Sequence, residues 1–475
     1  MNAPTSIVVT RESLQSRPLP LHDIQGLILC DYGLPAVRHF FVRVDQAEGG
    51  RSLIGTLVND PQSSLRVATA ADWTQPARPV SALNVGFTYT GLQALRLPAA
   101  TLASFEPARA FTGGAAARAS RIGDRGRNAP QHWRGRLDSG VVHVMLSLYT
   151  GKAQLEPLRA ALEHRVRQYG CTILHHEDGA VLDDENSHEE GLPGILIHFG
   201  YRDGIGQPVI AGAPRPRYAA ATANAVAPGA FLLGYPSQWI DFQYPVPRPL
   251  EFGRNGSFVA FRILQQDVIA FEKYLTDLAS AAKLDKEMLA AKVCGRWRNG
   301  IPLVLSPHSA STKPPLPDHK LNDFDFTEDP HGLTCPFDSH IRRTNPRGEA
   351  VAGADGDRHP IVRRGMPYGP KYDPSNKTAD HQERGLLGLF VCASLEDQFE
   401  FLMTNWINRG GFRPGLSSRS RDLIAGSNTL GDTALRPSAS SQMAALPTFA
   451  DFVTTRGAAY CFLPSITGLK YIAGL

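Results

Sequence analysis

The stretch DSGVVHVMLSLYTGKAQLEPLRAALEHRVRQYGCTILHHEDGAVL, residues 138–182, decides the fold. Its first part, SGVVHVMLSLYT (139–150), is rich in β-branched and apolar residues and reads as a strand. Leu155, Leu158, Leu162 and Val166 then recur at helical spacing, with Pro157 tolerated in the first turn. CTILHHEDGAVL (171–182) returns as a strand. The same order begins again in RNGSFVAFRILQQDVIAFEKYL (254–275), where Asp267 is placed to cap a helix carrying Val268, Phe271 and Leu275. The two passages share a pattern, not identity. They predict an α+β chain of two related units, each an antiparallel sheet covered by helices.

Working outward, IQGLILC (24–30), VRHFFVRV (37–44) and GAFLLGY (229–235) also read as strands. VGFTYTGLQALRL (85–97) passes from a strand into a short helix. The alanine- and proline-rich run 211–230 predicts the break between the units. This gives a flexible lead-in over 1–20, an N-terminal domain over 21–215 and a C-terminal domain over 230–475. Two long irregular stretches, 306–334 and 346–384, are expected to be functional or disordered.

Composition narrows the function. A net charge of +4 over 475 residues, with no basic stripe, gives no support for nucleic-acid binding. The six cysteines form no CxxC pair, which argues against structural zinc and fits reduced thiols. No apolar run has the length of a membrane span, and the N-terminus lacks a signal-peptide pattern, so a cytoplasmic location is expected.

Three segments carry candidate chemistry. HFGYRDGIGQP (198–208) surrounds Asp203 with Gly200, Gly204 and Gly206. That is either a surface turn or a backbone passing close to something large and flat. CPFDSHIRRTNPRG (335–348) sets His340 among Arg342, Arg343 and Arg347. Like charge would disfavour the imidazolium there and leave a neutral ring able to bind metal. DRHPIVRRGMPYGP (357–370) presents Arg363 or Arg364 at the end of a strand. Beyond it, GLLGLFVCASLEDQFEF (385–401) runs from a strand into a helix with Glu396 and Asp397 at its start. These carboxylates suit the helix dipole, or could orient a ligating histidine.

Together these segments resemble the dye-decolourising peroxidases. GYRDG (200–204) matches that family's GxxDG motif, CPFDSHIRRTNPR its proximal-histidine segment and IVRRGMPYG its distal-arginine segment. GFTYTGLQAL (86–95) and CGRWRNGIPL (294–303) are similar too, and the resemblance runs from about residue 20 to the C-terminus. It implies two ferredoxin-like domains and one haem b per chain, held mainly by the C-terminal domain. It makes His340 the axial ligand, Asp203 the distal acid–base group and Arg363 the distal arginine. Asn345 and Arg347 would lie by the haem edge and a propionate. Glu396, or the adjacent Asp397, would orient the imidazole. Phe390 would form the distal wall, with Gly204 letting the backbone approach the porphyrin. The partners implied are hydrogen peroxide and bulky aromatic reductants, with no nucleic acid or membrane; a homo-oligomer is left open.

The chemistry suits these residue types. A carboxylate above the porphyrin can take a proton from one peroxide oxygen and give it to the other. An unperturbed aspartate titrates near ~3.9 against ~6.5 for histidine, so it remains an acceptor in acid and predicts an acidic optimum. A fixed guanidinium stabilises charge on the departing oxygen. Two other readings use the same haem fold: haem handling or iron release, and non-catalytic haem sensing. Asp203 and Arg363 together argue against sensing, because binding alone needs neither. Asp203 also argues against chlorite dismutation.

Overall fold

The computed structural model describes residues 18–475, except 61–62, 77, 183–193, 221–222, 224, 239–242, 283–284, 313–314, 352–353, 374, 376–381, 414–419 and 428–450. Most of the expected lead-in thus lies outside the described residues.

The first half of the chain contributes strands β1 (Ala36–Val44), β2 (Ser81–Phe87), β3 (Val144–Thr150) and β4 (Cys171–Ala180). Helix α1 (Ala47–Asn59) follows β1, and α2 (Lys152–Gln168) joins β3 to β4. The second half contributes β5 (Ser257–Gln266), β6 (Val362–Tyr368), β7 (Gly385–Cys392) and β8 (Val453–Leu463). Helix α3 (Val268–Ala282) follows β5, and π-type helical turns at Leu395–Glu400 and Leu402–Ile407 follow β7.

All eight strands form one antiparallel sheet in the order β6-β7-β5-β8-β2-β3-β1-β4. Each set of four has its first and third strands in the middle, which is the ferredoxin-like arrangement, present twice. β8 and β2 meet through a single residue pair, Phe462 with Phe87. The passages at 138–182 and 254–275 are not topological equivalents, since β5 corresponds to β1 and not to β3. They look alike because β3 and β5 are both interior strands with apolar residues on both faces; all seven residues of β3 are buried.

Three local expectations change. IQGLILC holds a short helix, Gly26–Leu29, because a brief buried apolar run has no period to separate helix from strand. GAFLLGY begins with a 3₁₀ turn at Pro228–Ala230, and Leu233 alone exchanges backbone hydrogen bonds with the 255–256 segment. Pro157 lies inside α2, not in its first turn, because that helix already starts at Lys152. Asp267 does cap α3, its carboxylate accepting from the Ala270 N–H at 3.0 Å. No helix among the described residues is long and apolar enough to cross a membrane.

Candidate active site

A cavity of about 2600 Å³ lies against the second half of the sheet. Its wall includes Asp203, His340, Asn345, Arg347, Arg363, Leu386 and Phe390, with Ile122–Asp124 and Asn128 from the first half. From the two long stretches expected to be irregular, 322–330 and 356–361 add further wall residues, and the second stretch also contains strand β6.

One wall follows from strand register. Arg363 on β6 is paired with Phe390 on β7, so their side chains rise side by side from one face. Leu386 and Gly388 share that face by the two-residue period. A Cβ on Gly388 would come within 2.9 Å of the Phe390 ring, so the ring lies over a gap where a side chain is missing. Leu386 is thus the aliphatic companion of Phe390 on this wall. Arg364 belongs to the opposite face, where its Nε donates to the Leu27 carbonyl.

Asp203 comes to the same wall on a two-residue ladder, pairing with Ile195. The bends on either side of it need positive φ, +82° at Gly200 before it and +87° at Gly204 after it, which glycine adopts without strain. A Cβ on Gly204 would meet nothing within 4 Å, and it is Asp203, Ile205 and Gly206 that line the cavity. Gly204 shapes the turn, and its neighbours on both sides line the cavity. The Asp203 carboxylate stands 3.4 Å from the Arg363 guanidinium, both about one-third exposed.

His340, also on the cavity wall, opens the helical turn His340–Thr344. Its Nδ1 lies 2.9 Å from the carboxylate of Asp422, whose side chain is fully buried. The Ile424 and Ala425 N–H groups donate to the same carboxylate at 2.8 and 2.7 Å. The loop is stitched down on both sides: Asp422 N–H donates to the Ile407 carbonyl and Leu423 N–H to that of Asp338. Burial alone would raise the Asp422 pKa, but His340 and the two N–H groups outweigh it and hold the group anionic. Burial alone would lower that of His340, but Asp422 outweighs it and raises the value.

The expectation that Glu396 or Asp397 orients His340 is corrected. Glu396 instead accepts the Ala110 N–H, and the backbone carbonyl of Asp397 is hydrogen-bonded to His359. Burial raises the Glu396 pKa, partly offset by that N–H. The expectation that neighbouring arginines disfavour the imidazolium is corrected as well. Arg342 and Arg343 are fully buried and turned away, Arg342 onto Asp329 and Glu349, Arg343 onto Asp338.

The cavity fits an anionic, metal-holding group. Arg347 donates to the carbonyls of Asn322 and Phe324, and Arg296 to those of Gly300 and Leu321. Among the described residues neither has a carboxylate partner within 4 Å, and the Arg347 Nε is buried with no partner. Burial first, and then the charge of Arg296 on Arg347 and of Arg363 on Arg296, depresses their pKa values, to about 9 for Arg347 and about 10 for Arg296. Such guanidiniums are suited to receive carboxylates. With Nδ1 of His340 committed to Asp422, and no hydrogen bond to Nε2 among the described residues, Nε2 is the nitrogen available to a metal.

No family model matches the chain. Peroxidase 2 of Mycetinis scorodonius is 30% identical over 481 residues, covering 95% of this chain and 87% of that protein. The multifunctional dye peroxidase DyP2 of an Amycolatopsis strain is 30% identical over 406 residues, covering 81% of this chain and 82% of that protein. A dye-decolorizing peroxidase solved in complex with 2,6-dimethoxyphenol matches with a TM-score of 0.79 at 26% identity, over 96% of this chain and 100% of that one. The fungal DyP-type peroxidase of Auricularia auricula-judae gives 0.79 at 25% identity, over the same shares.

Fold and relatives together define a peroxidase, an oxidoreductase acting on hydrogen peroxide. More narrowly, the chain belongs to the dye-decolorizing peroxidases, which are haem enzymes.

Proposed function

We propose that the chain binds one haem b in this cavity and uses it to reduce hydrogen peroxide while oxidising bulky aromatic dyes and phenolics. The observation that carries the reading is the placement of an Asp422-oriented imidazole, His340, and an Asp203–Arg363 pair on the wall of one cavity. Bound haem would supply the redox-active iron that accepts oxidising equivalents from peroxide.

The protein's own groups have separate tasks. His340 would hold the metal through Nε2. Asp422, accepting at Nδ1, fixes the tautomer and makes the imidazole a stronger donor. Arg347 and Arg296, with Asn345 beside them, would receive the propionates. Phe390 and Leu386 form an apolar wall that limits water near the reacting oxygens.

Asp203 would take the proton from the inner oxygen of peroxide through a carboxylate oxygen and return it to the outer oxygen, which leaves as water. Arg363 would stabilise negative charge on that departing oxygen; one such contact is commonly worth ~10²–10³ in rate. The positive guanidinium also draws in the peroxide anion.

The test is the visible absorption spectrum of purified protein before and after one equivalent of peroxide, for wild type and His340→Ala. Wild type is expected to show a histidine-ligated haem that changes on addition, and His340→Ala to purify with little haem. Full occupancy of His340→Ala with an unaltered axial-ligand spectrum would refute the assignment.

A further inference from the structure

The segment 198–207 runs along the outer edge of β6, the end strand of the sheet, and is fastened to it at two places. At one end His198 Nε2 donates to the Tyr368 carbonyl at 2.8 Å. At the other, the Gln207 side chain makes a reciprocal pair with the Arg363 backbone. Its Nε2 donates to the Arg363 carbonyl at 2.9 Å, and its Oε1 accepts the Arg363 N–H at 3.1 Å.

A carboxamide carries the same donor and acceptor as a peptide unit. Gln207 therefore stands in for one rung of the strand that this sheet edge lacks. Both fastened residues matter to the site. Gln207 lies four positions after Asp203, and Arg363 carries the guanidinium 3.4 Å from the Asp203 carboxylate. That separation is at the long end of hydrogen bonding, so it does not hold the two groups together by itself. Arg363 enters the site from the sheet and Asp203 from a separate two-residue ladder, and the Gln207 side chain ties the Asp203 segment to the Arg363 backbone.

We propose that Gln207 is a positioning residue for peroxide activation, setting the distance between Asp203 and Arg363 by gripping the Arg363 backbone. This rests on the roles given above to Asp203 and Arg363. Gln207 touches no reacting atom. Its effect runs through Arg363, so it acts on the step that consumes peroxide and not on the oxidation of the dye.

The test uses the full-length haem enzyme and two variants. Gln207→Met keeps the volume, leaves the Arg363 N–H unpaired and leaves the Arg363 carbonyl with the Arg364 Nη1 donor at 3.2 Å. Gln207→Ala leaves room for a water to satisfy both, so one variant keeps the fold while losing the grip. Hydrogen exchange of the peptide spanning Arg363 is expected to quicken in both, with the β7 peptide unchanged. Per bound haem, kcat/KM for peroxide is expected to fall about tenfold to a hundredfold, the range for an ångström-scale misplacement, while kcat/KM for the dye holds. In an Arg363→Leu background the Gln207 substitutions should add nothing, because both act through one group.

Unchanged exchange at Arg363, a full further loss in the Arg363→Leu background, or equal losses for peroxide and dye would overturn the proposal. If Arg363→Leu itself leaves peroxide reactivity intact, the role of Arg363 falls, and this inference with it. If Arg363→Leu is impaired and both Gln207 variants react normally, this inference alone fails.

Discussion

Replacing Asp422 by asparagine tests how the proximal side is built. The carboxylate is buried and accepts from His340 Nδ1 and from the N–H groups of Ile424 and Ala425. Asparagine keeps the shape and one acceptor oxygen, but it loses the charge and points an N–H₂ at a donor. Hydrogen bonds to a charged group are worth about 1.5–3 kcal/mol each, and the one to His340 is the bond the asparagine must weaken. At about 1.4 kcal/mol per decade this corresponds to a tenfold to hundredfold loss of haem affinity, the range found for residues that orient metal-ligating histidines. A less anionic imidazole also donates less to the iron, so the reduction potential should rise. The assay is haem transfer to an excess of apo-myoglobin, with the potential measured on the same preparation. Glu396→Gln is the control, because its partner is the Ala110 N–H. Unchanged haem release and potential in Asp422→Asn, with a shift in Glu396→Gln, would refute the proximal arrangement described here.

Asp203→Asn should retain haem and slow its reaction with peroxide by ~10²–10⁴, the usual worth of a positioned acid–base group; stopped-flow mixing measures this, and a wild-type rate would assign the proton transfer elsewhere. Arg363→Leu should impair peroxide activation far more than Arg364→Leu, because Arg364 faces the Leu27 carbonyl on the other side of the strand; the reverse order would mean that the wrong face has been assigned. Stability should fall in mild acid. Burial holds His39 and His198 near a pKa of about 4, against 6.5 ordinarily, so the unfolded chain binds more protons between these values and stability drops as pH falls through that window. At about 1.4 kcal/mol per pKa unit each contributes about 3 kcal/mol, so urea unfolding at pH 7 and pH 5 should differ clearly, and a flat profile would contradict the burial of both rings.

The parts of this molecule that were legible in the sequence are those encoded by nearby residues. Strand β3, helix α2 and the Asp267 cap are local patterns, and Asp203, His340 and Arg363 sit in short motifs that carry their own chemistry. Asp422 was not legible. It lies 82 positions from His340, in an irregular loop with neither period nor metal-ligand spacing. The available hint was RDLIAG (421–426), an aspartate followed by residues whose N–H groups fold back onto it. Glu396 is conspicuous in the sequence as a carboxylate at the start of a helix, yet that position serves the joint with the 109–118 helix. Gln207 was visible as a letter in HFGYRDGIGQP, but an edge strand in need of a partner exists only once the sheet is assembled.

The single Phe462–Phe87 rung between β8 and β2 has a mechanical consequence. Two plates that share one rung resist hinging weakly through their backbones. Their mutual angle is then held by the apolar core they share, where Phe41 meets Phe261 and Phe105 meets Phe258 and Phe462, and by ties such as Arg262 with Asp124, Glu396 with the Ala110 N–H and Glu400 with Arg118. Both plates border the chamber, so its gape follows that angle. Exchanging one such charged couple is expected to change the width of the chamber, read as a change in kcat/KM for bulky against small reductants with kcat/KM for peroxide unchanged.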